Sequence, residues 1–421
     1  MRTEQIFRVA FIASLLTLTI TANALAQSGS SRPRRVTSAT PSSSTSNSTN
    51  APATNPVPTQ SAPASSAAPN ANARRAASTG GDTTRAYTLL QQKQYAAALK
   101  EAKTLTVSDP KNAEGWKIAG FAEMSLAQYA EAAADLQRAL DLQRAAKEDD
   151  PNTVDALAQA LVRTDAFERA LPLLVTATSR TGARPDAGLL YLRGLAEYRT
   201  GKPGDAERSF DAATRANPKD AASLFYLGRI AYERKDFDKA IAMLNRATLA
   251  DAREPVAWGL LTTAYLQRAA LVSATPNATS AARADADYQS AIRSGETLYR
   301  LKPDASSALL YGQVLLTAKR YVPAAAVLER AAAGADASAS SLYLLGIAYS
   351  RAKNYPKATA TLERAAQKSP DDVNIYRELG YDYEISKQYA KALAAYEKGA
   401  SLAPTDTDFK ESVERVRPFA K

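Results

Sequence analysis

Eight times between Tyr95 and Ala392 an aromatic residue is followed, three places on, by alanine. The pairs are Tyr95/Ala98, Tyr129/Ala132, Phe167/Ala170, Phe237/Ala240, Tyr288/Ala291, Tyr321/Ala324, Tyr355/Ala358 and Tyr389/Ala392, and one further copy has Pro203 before Ala206. Their alanines recur at spacings of 34, 38, 36, 34, 51, 33, 34 and 34 residues. A period near 34 residues constrains the fold more than any other feature of this chain. A unit that short cannot hide its own apolar surface, so it must stack on copies of itself.

Other positions keep step with these pairs. Nine residues before the aromatic (or Pro203) stands a small residue, at Gly120, Ala158, Gly194, Gly228, Gly312, Gly346 and Gly380. Four residues after the alanine comes a large one, at Leu136, Leu174, Phe210, Leu244, Leu328, Leu362 and Tyr396. Three further on the residue is small again, at Ala139, Ala177, Ala213, Ala247, Ala331, Ala365 and Gly399. Steps of four and three hold a residue on one face of a helix. Each unit therefore reads as two antiparallel helices, the first ending near the aromatic and the second near a proline, which cannot continue a helix. The small residues let the paired backbones approach, and Trp116, Trp258, Leu136, Phe210 and Leu244 are expected to fill the space around them.

This pattern resembles the tetratricopeptide repeat. The second unit carries it as Trp116, Ala119-Gly120, Tyr129, Ala132, Leu136 and Ala139; the last as Tyr376, Leu379-Gly380, Tyr383, Tyr389, Ala392, Tyr396, Gly399 and Pro404. The resemblance implies an all-α fold, a right-handed α-solenoid of about nine stacked helix-turn-helix units. Units start near 79, 113, 151, 187, 221, 255, 305, 339 and 373, and the sixth carries an insertion reaching to about 287. The array spans residues 82–406, and a C-terminal capping helix follows over residues 407–421. Within that cap Phe409, Val413 and Val416 share one face and Asp408, Glu411 and Glu414 point away. Two irregularities stand out: a polar stretch from Ser273 to Ser280 inside the sixth unit and a charged extension from Gln143 to Asp150. Both read as surface insertions.

The N-terminal part has a different composition. Arg2 and Arg8, the apolar run from Val9 to Ile20 and the small residues Ala22, Ala24 and Ala26 form the pattern of a secretory signal peptide over residues 1–26. Cleavage is expected after Ala26, leaving an exported, periplasmic or secreted chain. The run is too short for a spanning helix. Residues 27–81 are rich in Ser, Thr, Ala, Asn and Pro, with Val36 and Val57 the only large apolar residues. Such a segment buries too little to offset the entropy of ordering it and reads as a disordered linker.

Charge and residue usage exclude much chemistry. The chain has no His and no Cys, so imidazole bases, thiolate nucleophiles and Cys or His metal sites are not available to it. No Gly-rich phosphate loop or G-x-S-x-G motif appears, and no cofactor is implied. The acid pairs Asp149-Asp150 and Asp371-Asp372 sit beside Pro151 and Pro370, where helix-capping acids are expected. Of the net charge of +10, residues 1–81 contribute seven Arg against one Glu, which leaves the other 340 residues at only +4. That is too little for a nucleic-acid face. The clusters Arg32-Pro33-Arg34-Arg35 and Arg74-Arg75 admit a second reading, contact with a cell-wall polymer or an anionic membrane surface.

The resemblance implies a non-catalytic scaffold that binds a protein or peptide partner along a concave groove. A stripe beside the core residues of the first helices marks the candidate groove. It carries Tyr191, Leu195 and Tyr198 in the fourth unit and Phe225, Arg229 and Tyr232 in the fifth. It continues as Tyr343 and Ile347 in the eighth and Arg377 and Tyr381 in the ninth. Aromatic residues interleaved with Arg are typical of interaction hot spots; the competing reading is that these rings pack on the neighbouring hairpin. The carboxylate clamp of some relatives, paired Lys and Asn on adjacent first helices, is missing: Lys117 is followed by Phe121 where the Asn would stand.

Overall fold

A computed structural model describes residues 82–180, 186–274 and 277–420. The expected signal peptide and linker lie outside the described residues, as does part of the polar stretch 273–280. Among the described residues the chain is helical throughout, without strands. The first hairpins pair α1 (Thr84–Gln91) with α2 (Tyr95–Ser108), α3 (Ala113–Ser125) with α4 (Tyr129–Ala145), and α5 (Pro151–Arg163) with α6 (Phe167–Thr178). Next come α7 (Ala187–Arg199) with α8 (Pro203–Ala216), α9 (Ala221–Glu233) with α10 (Phe237–Ala250), and α11 (Pro255–Ser273) with α12 (Ala278–Leu301). The last three are α13 (Ala305–Thr317) with α14 (Tyr321–Ala331), α15 (Ala339–Arg351) with α16 (Tyr355–Lys368), and α17 (Val373–Ile385) with α18 (Tyr389–Leu402). Helix α19 (Thr407–Val416) packs on α18. This is the all-α solenoid that the repeats call for.

The reason for the small and large positions is visible in each hairpin. A β-carbon added to Gly120, Gly228, Gly312 or Gly346 would lie 2.4–2.6 Å from the Cγ of Leu136, Leu244, Leu328 or Leu362, in that order. Helix backbones cross so closely there that a methyl group has no room. In the sixth hairpin Thr262 replaces the glycine, and its hydroxyl donates to Ser294 Oγ at 2.9 Å. Each large residue is buried, as are Ala98, Ala132, Ala170, Ala206, Ala240, Ala324, Ala358 and Ala392. The two tryptophans depart from the expected core filling. Trp116 and Trp258 are only half-buried, and their indole N–H groups donate to the carbonyls of Pro110 and Ala252, tying each first helix to the turn before it.

Turn chemistry repeats as faithfully. Lys93, Ala127, Asp165, Gly201, Lys235, Lys319, Lys353 and Lys387, each two residues before the start of a second helix, all have φ between 55° and 76°. Only one of them is glycine. At one such turn Asn354 N–H donates to Tyr349 O at 2.8 Å and Lys353 N–H to Ser350 O at 2.9 Å, which closes the first helix with a left-handed cap. At the opposite ends Asp150 and Asp372 accept from the backbone of Asn152 and Asn374, both at 3.0 Å, so both acids are helix caps. The insertion in the sixth unit is mostly not loop. It lengthens the hairpin itself, giving α11 19 residues and α12 24, so that Tyr288 sits inside α12 instead of opening a helix.

Stacking sets which faces remain open. Every second helix packs on the following first helix, and each first helix also touches the first helix of the next hairpin along the whole array. Second helices make no comparable contact with one another. First helices therefore crowd the inner side of the curve and present the concave face. Tyr349 and Tyr383 add ties between hairpins, their hydroxyls donating to Glu329 and Glu363 of the preceding second helix.

Candidate protein-binding interface

Helices α7 and α9 lie side by side, so their stripes meet. The Arg229 guanidinium stands 5.3 Å from the centre of the Tyr198 ring, within cation–π range. Arg229 Nε donates to Glu233 Oε1 at 3.1 Å, and the Tyr198 hydroxyl donates to the same oxygen. Burial and that bond to a carboxylate push the Tyr198 hydroxyl up to about 12. Tyr198, Arg229 and Glu233 thus form one polar knot spanning two hairpins. All three remain partly or fully exposed.

Tyr226, outside the sequence-derived stripe, is the hub of the apolar part. Its ring lies 5.0 Å from Phe210, stacked at an interplanar angle of 8°, 5.5 Å from Tyr198, 6.2 Å from Tyr191 and 5.4 Å from Phe225. Tyr191 also reaches Phe210 at 6.0 Å, and burial raises its ionisation above the ordinary range of a phenol. Leu195 packs in the same cluster. Phe225 and Tyr232 lean the other way, on the core shared with α11, where Tyr232 meets the Phe237 ring at 5.6 Å. The stripe is therefore both wall and surface: its rings brace neighbouring hairpins and show their remaining edges to the groove.

The second group is divided. Ile347 is buried at 1% exposure and belongs to the core, which corrects its placement on an exposed stripe. Tyr343 is half-buried, with its hydroxyl ionisation raised by burial. Arg377 faces the cap: it bridges to Asp406 at 2.6 Å and Asp408 at 3.5 Å and lies 4.6 Å from the Phe409 ring centre. Tyr381 alone is well exposed, at 40%, with Arg351 5.6 Å above its ring. Six of the ten residues therefore converge between hairpins four and six, and the rest do not join them. Lys117, the lone clamp residue, is occupied by Glu114 at 3.1 Å and Asp150 at 2.9 Å.

Burial shifts acids as well as phenols. Asp382 on α17 is fully buried and accepts from Ser350 Oγ at 2.5 Å; its carboxyl is pushed up to about 7, chiefly by burial. Glu378, one turn earlier, accepts from Arg351 Nη2 at 2.9 Å. Among the described residues, one oxygen of each acid has no hydrogen-bond partner. Cavities away from the stripe, among the described residues, include the following two. One of 130 Å³ is lined by residues including Leu190, Arg193 and Ser209, and one of 210 Å³ by residues including Lys235, Phe237, Arg268 and Arg283.

A tetratricopeptide-repeat family model matches residues 83–151, 191–255 and 343–407. A model for subunit 3 of the anaphase-promoting complex (cyclosome) matches residues 284–365. No curated protein matches the chain. Among solved structures, similarity extends to YrrB, described as a TPR protein with an unusual peptide-binding site, at 16% identity over 49% of this chain and 99% of that one, with a TM-score of 0.42. The C-terminal part of a TPR repeat-containing protein from Cytophaga hutchinsonii is 16% identical over 79% of this chain and 99% of its own, with a TM-score of 0.39. A tetratricopeptide repeat protein from Parabacteroides merdae is 16% identical over 63% and 98%, with a TM-score of 0.40.

Proposed function

We propose that this chain, whose family matches support a tetratricopeptide-repeat protein, is a non-catalytic scaffold that holds a protein or peptide partner on the first-helix face of hairpins four to six. The observation that carries the reading is the pairing of half-exposed rings with a charged knot on adjacent helices: Tyr191, Tyr198, Phe225 and Tyr232 around Arg229 and Glu233. Rings braced from behind lose little freedom when a partner covers them, which is the condition for a hot spot. Arg229 and Glu233 offer a donor fork and an acceptor to a peptide backbone or side chain at the same place. The reading includes export, supported by Arg2, Arg8, the Val9 to Ile20 run and Ala24-Leu25-Ala26. In that reading the scaffold works outside the cytoplasm.

The charge-swapped variant Arg229→Glu/Glu233→Arg tests the site, because it keeps the ion pair and removes the arrangement a partner would read. A partner captured on the wild-type chain, identified and titrated as a purified protein, is expected to lose affinity for the swapped chain by about tenfold or more, with the helical signal kept and only about 1–2 kcal/mol of stability lost with the Tyr198 bond and cation–π contact. Equal affinity for both chains refutes the site. For export, the intact mass of the chain from the extracytoplasmic fraction is expected to lack residues 1–26; a mass that includes them refutes cleavage.

A further inference from the structure

Charge is segregated across hairpins seven to nine in a way the scaffold reading does not use. Around the turns joining their first and second helices, residues 317–328, 350–362 and 385–396 contain no Asp or Glu. They carry Lys319, Arg320, Arg351, Lys353, Lys357, Lys387 and Lys391. At the other end of the same hairpins the connections carry Asp304, Asp336, Asp371, Asp372, Asp406 and Asp408 against Lys302 and Lys368, a net negative edge. One edge of this part of the array is positive and the other negative.

The positive edge is open to solvent. Lys319, Arg320, Lys353 and Lys387 are exposed and enter no ion pair among the described residues, whereas Arg351 is held by Glu378 and Lys357 reaches Glu329 at 3.7 Å. Three of the free cations sit at positive φ (Lys319 59°, Lys353 62°, Lys387 59°), where glycine would be easier. Large apolar residues are exposed on the same edge. Val322 is 71% exposed beside the seventh turn, and Ile385 47% at the ninth. Phe419, 62% exposed, lies 5.3 Å from the Tyr389 ring that opens α18. Exposed cations and exposed apolar side chains side by side on a ridge of turns suit a broad anionic surface with an apolar layer beneath it. That composition is the one by which a protein lies on anionic lipid.

We propose that the turn edge of hairpins seven to nine is a docking surface for an anionic phospholipid membrane, with Lys319, Arg320, Lys353 and Lys387 facing the headgroups and Val322, Ile385 and Phe419 entering the interface. The contact is peripheral: among the described residues no helix is long and apolar enough to cross a membrane. It leaves the first-helix face of hairpins four to six free for a protein partner, so the two surfaces act independently.

Co-sedimentation of the full chain with phosphatidylglycerol-containing phosphatidylcholine vesicles, against phosphatidylcholine alone, tests this. The edge variant is Lys319→Gln/Arg320→Gln/Lys353→Gln/Lys387→Gln. Its charge-matched control, Lys219→Gln/Arg253→Gln/Lys302→Gln/Lys368→Gln, alters exposed cations on the opposite edge. Wild type and control are expected to bind the anionic vesicles alike, and the edge variant to bind them more weakly by about fivefold per cation removed. The basic clusters before residue 82 are present in all three chains, so the difference reports the edge alone. Equal loss in both variants would mean net charge acts without a site and overturns the proposal, as does unchanged binding by the edge variant. Poly-L-glutamate binding that needs the edge cations, with vesicle binding indifferent to them, also overturns it, in favour of an acidic protein.

Discussion

Replacing Gly380 by alanine should loosen the C-terminal end of the array, against the ordinary preference of helices for alanine. In a helix interior that exchange gains about 1 kcal/mol. Here the new methyl carbon would lie 2.3 Å from Tyr396 Cε1, 2.4 Å from Cδ1 and 2.8 Å from Cζ. The ring is restrained, since its hydroxyl donates to Glu384 Oε2 at 2.8 Å and Phe409 packs edge-on with centroids 6.5 Å apart. Relief means separating α17 from α18, at about 1–3 kcal/mol for an overpacked core, and that separation also gives up the hydroxyl bond between them, at about 1 kcal/mol. After subtracting the helix preference, the net loss is about 1–3 kcal/mol. Terminal hairpins open locally, so amide hydrogen exchange across residues 373–416 is the suitable assay, and it should quicken by about 5- to 150-fold. Two comparisons make the result decisive. Gly204 in α8 has no atom within 4 Å of the β-carbon it would gain, so Gly204→Ala should be neutral or slow exchange locally. Adding Tyr396→Leu to Gly380→Ala copies the buried Ala158 and Leu174 pair of the third hairpin, and the double variant should lose less than the sum of its parts. If Gly380→Ala and Gly204→Ala both prove neutral or protective, the close crossing does not limit the fold and the reasoning fails.

Three further outcomes are expected. Lys353→Gly should stabilise by about 0.5 kcal/mol in denaturant melts, because the left-handed backbone costs lysine about 1–2 kcal/mol and glycine's extra unfolded-state freedom returns only part of it; Lys353→Val should destabilise. Asp382 has a folded-state ionisation raised to about 7 from 3.8, so the stability it contributes is present below the unfolded value and lost as pH rises through about 7. Asp382→Asn should therefore be the more stable chain at pH about 8, by about 1 kcal/mol or more, with the advantage shrinking toward pH about 4 in parallel thermal melts. Deleting residues 407–421 uncovers the face buried by Phe409, Val413 and Val416 and removes the partners of Arg377; it should cost about 3 kcal/mol or more and promote aggregation, read by calorimetry and light scattering.

The candidate site was half legible beforehand. Tyr191, Leu195 and Tyr198, like Phe225, Arg229 and Tyr232, share a face by spacing alone, because a helix places residues four and three apart together. Their convergence across α7 and α9 was not written in either segment. Tyr226 carries no stripe signal, since it follows Phe225 directly and turns sideways, toward Phe210 of the preceding hairpin. Ile347 and Arg377 leave the stripe for a related reason: both hold its register, but the lateral neighbours that bury the one and bind the other come from elsewhere in the chain. A lysine at a left-handed turn also carries no local signal, because glycine is the residue expected there.

What the amino-acid order determined by itself was the unit and its repetition: two helices, a small residue facing a large one, and apolar faces that only stacking can cover. Those features depend on neighbours within one hairpin, whose separations the helix period dictates. The tertiary structure alone decided which stripe residues became wall and which became surface, that the sixth unit lengthened its helices, and that Arg377 closed onto the cap. Each of these depends on the lateral packing of one hairpin against the next, where the contacting side chains are separated along the chain by a whole repeat and no periodicity within a single helix encodes their meeting.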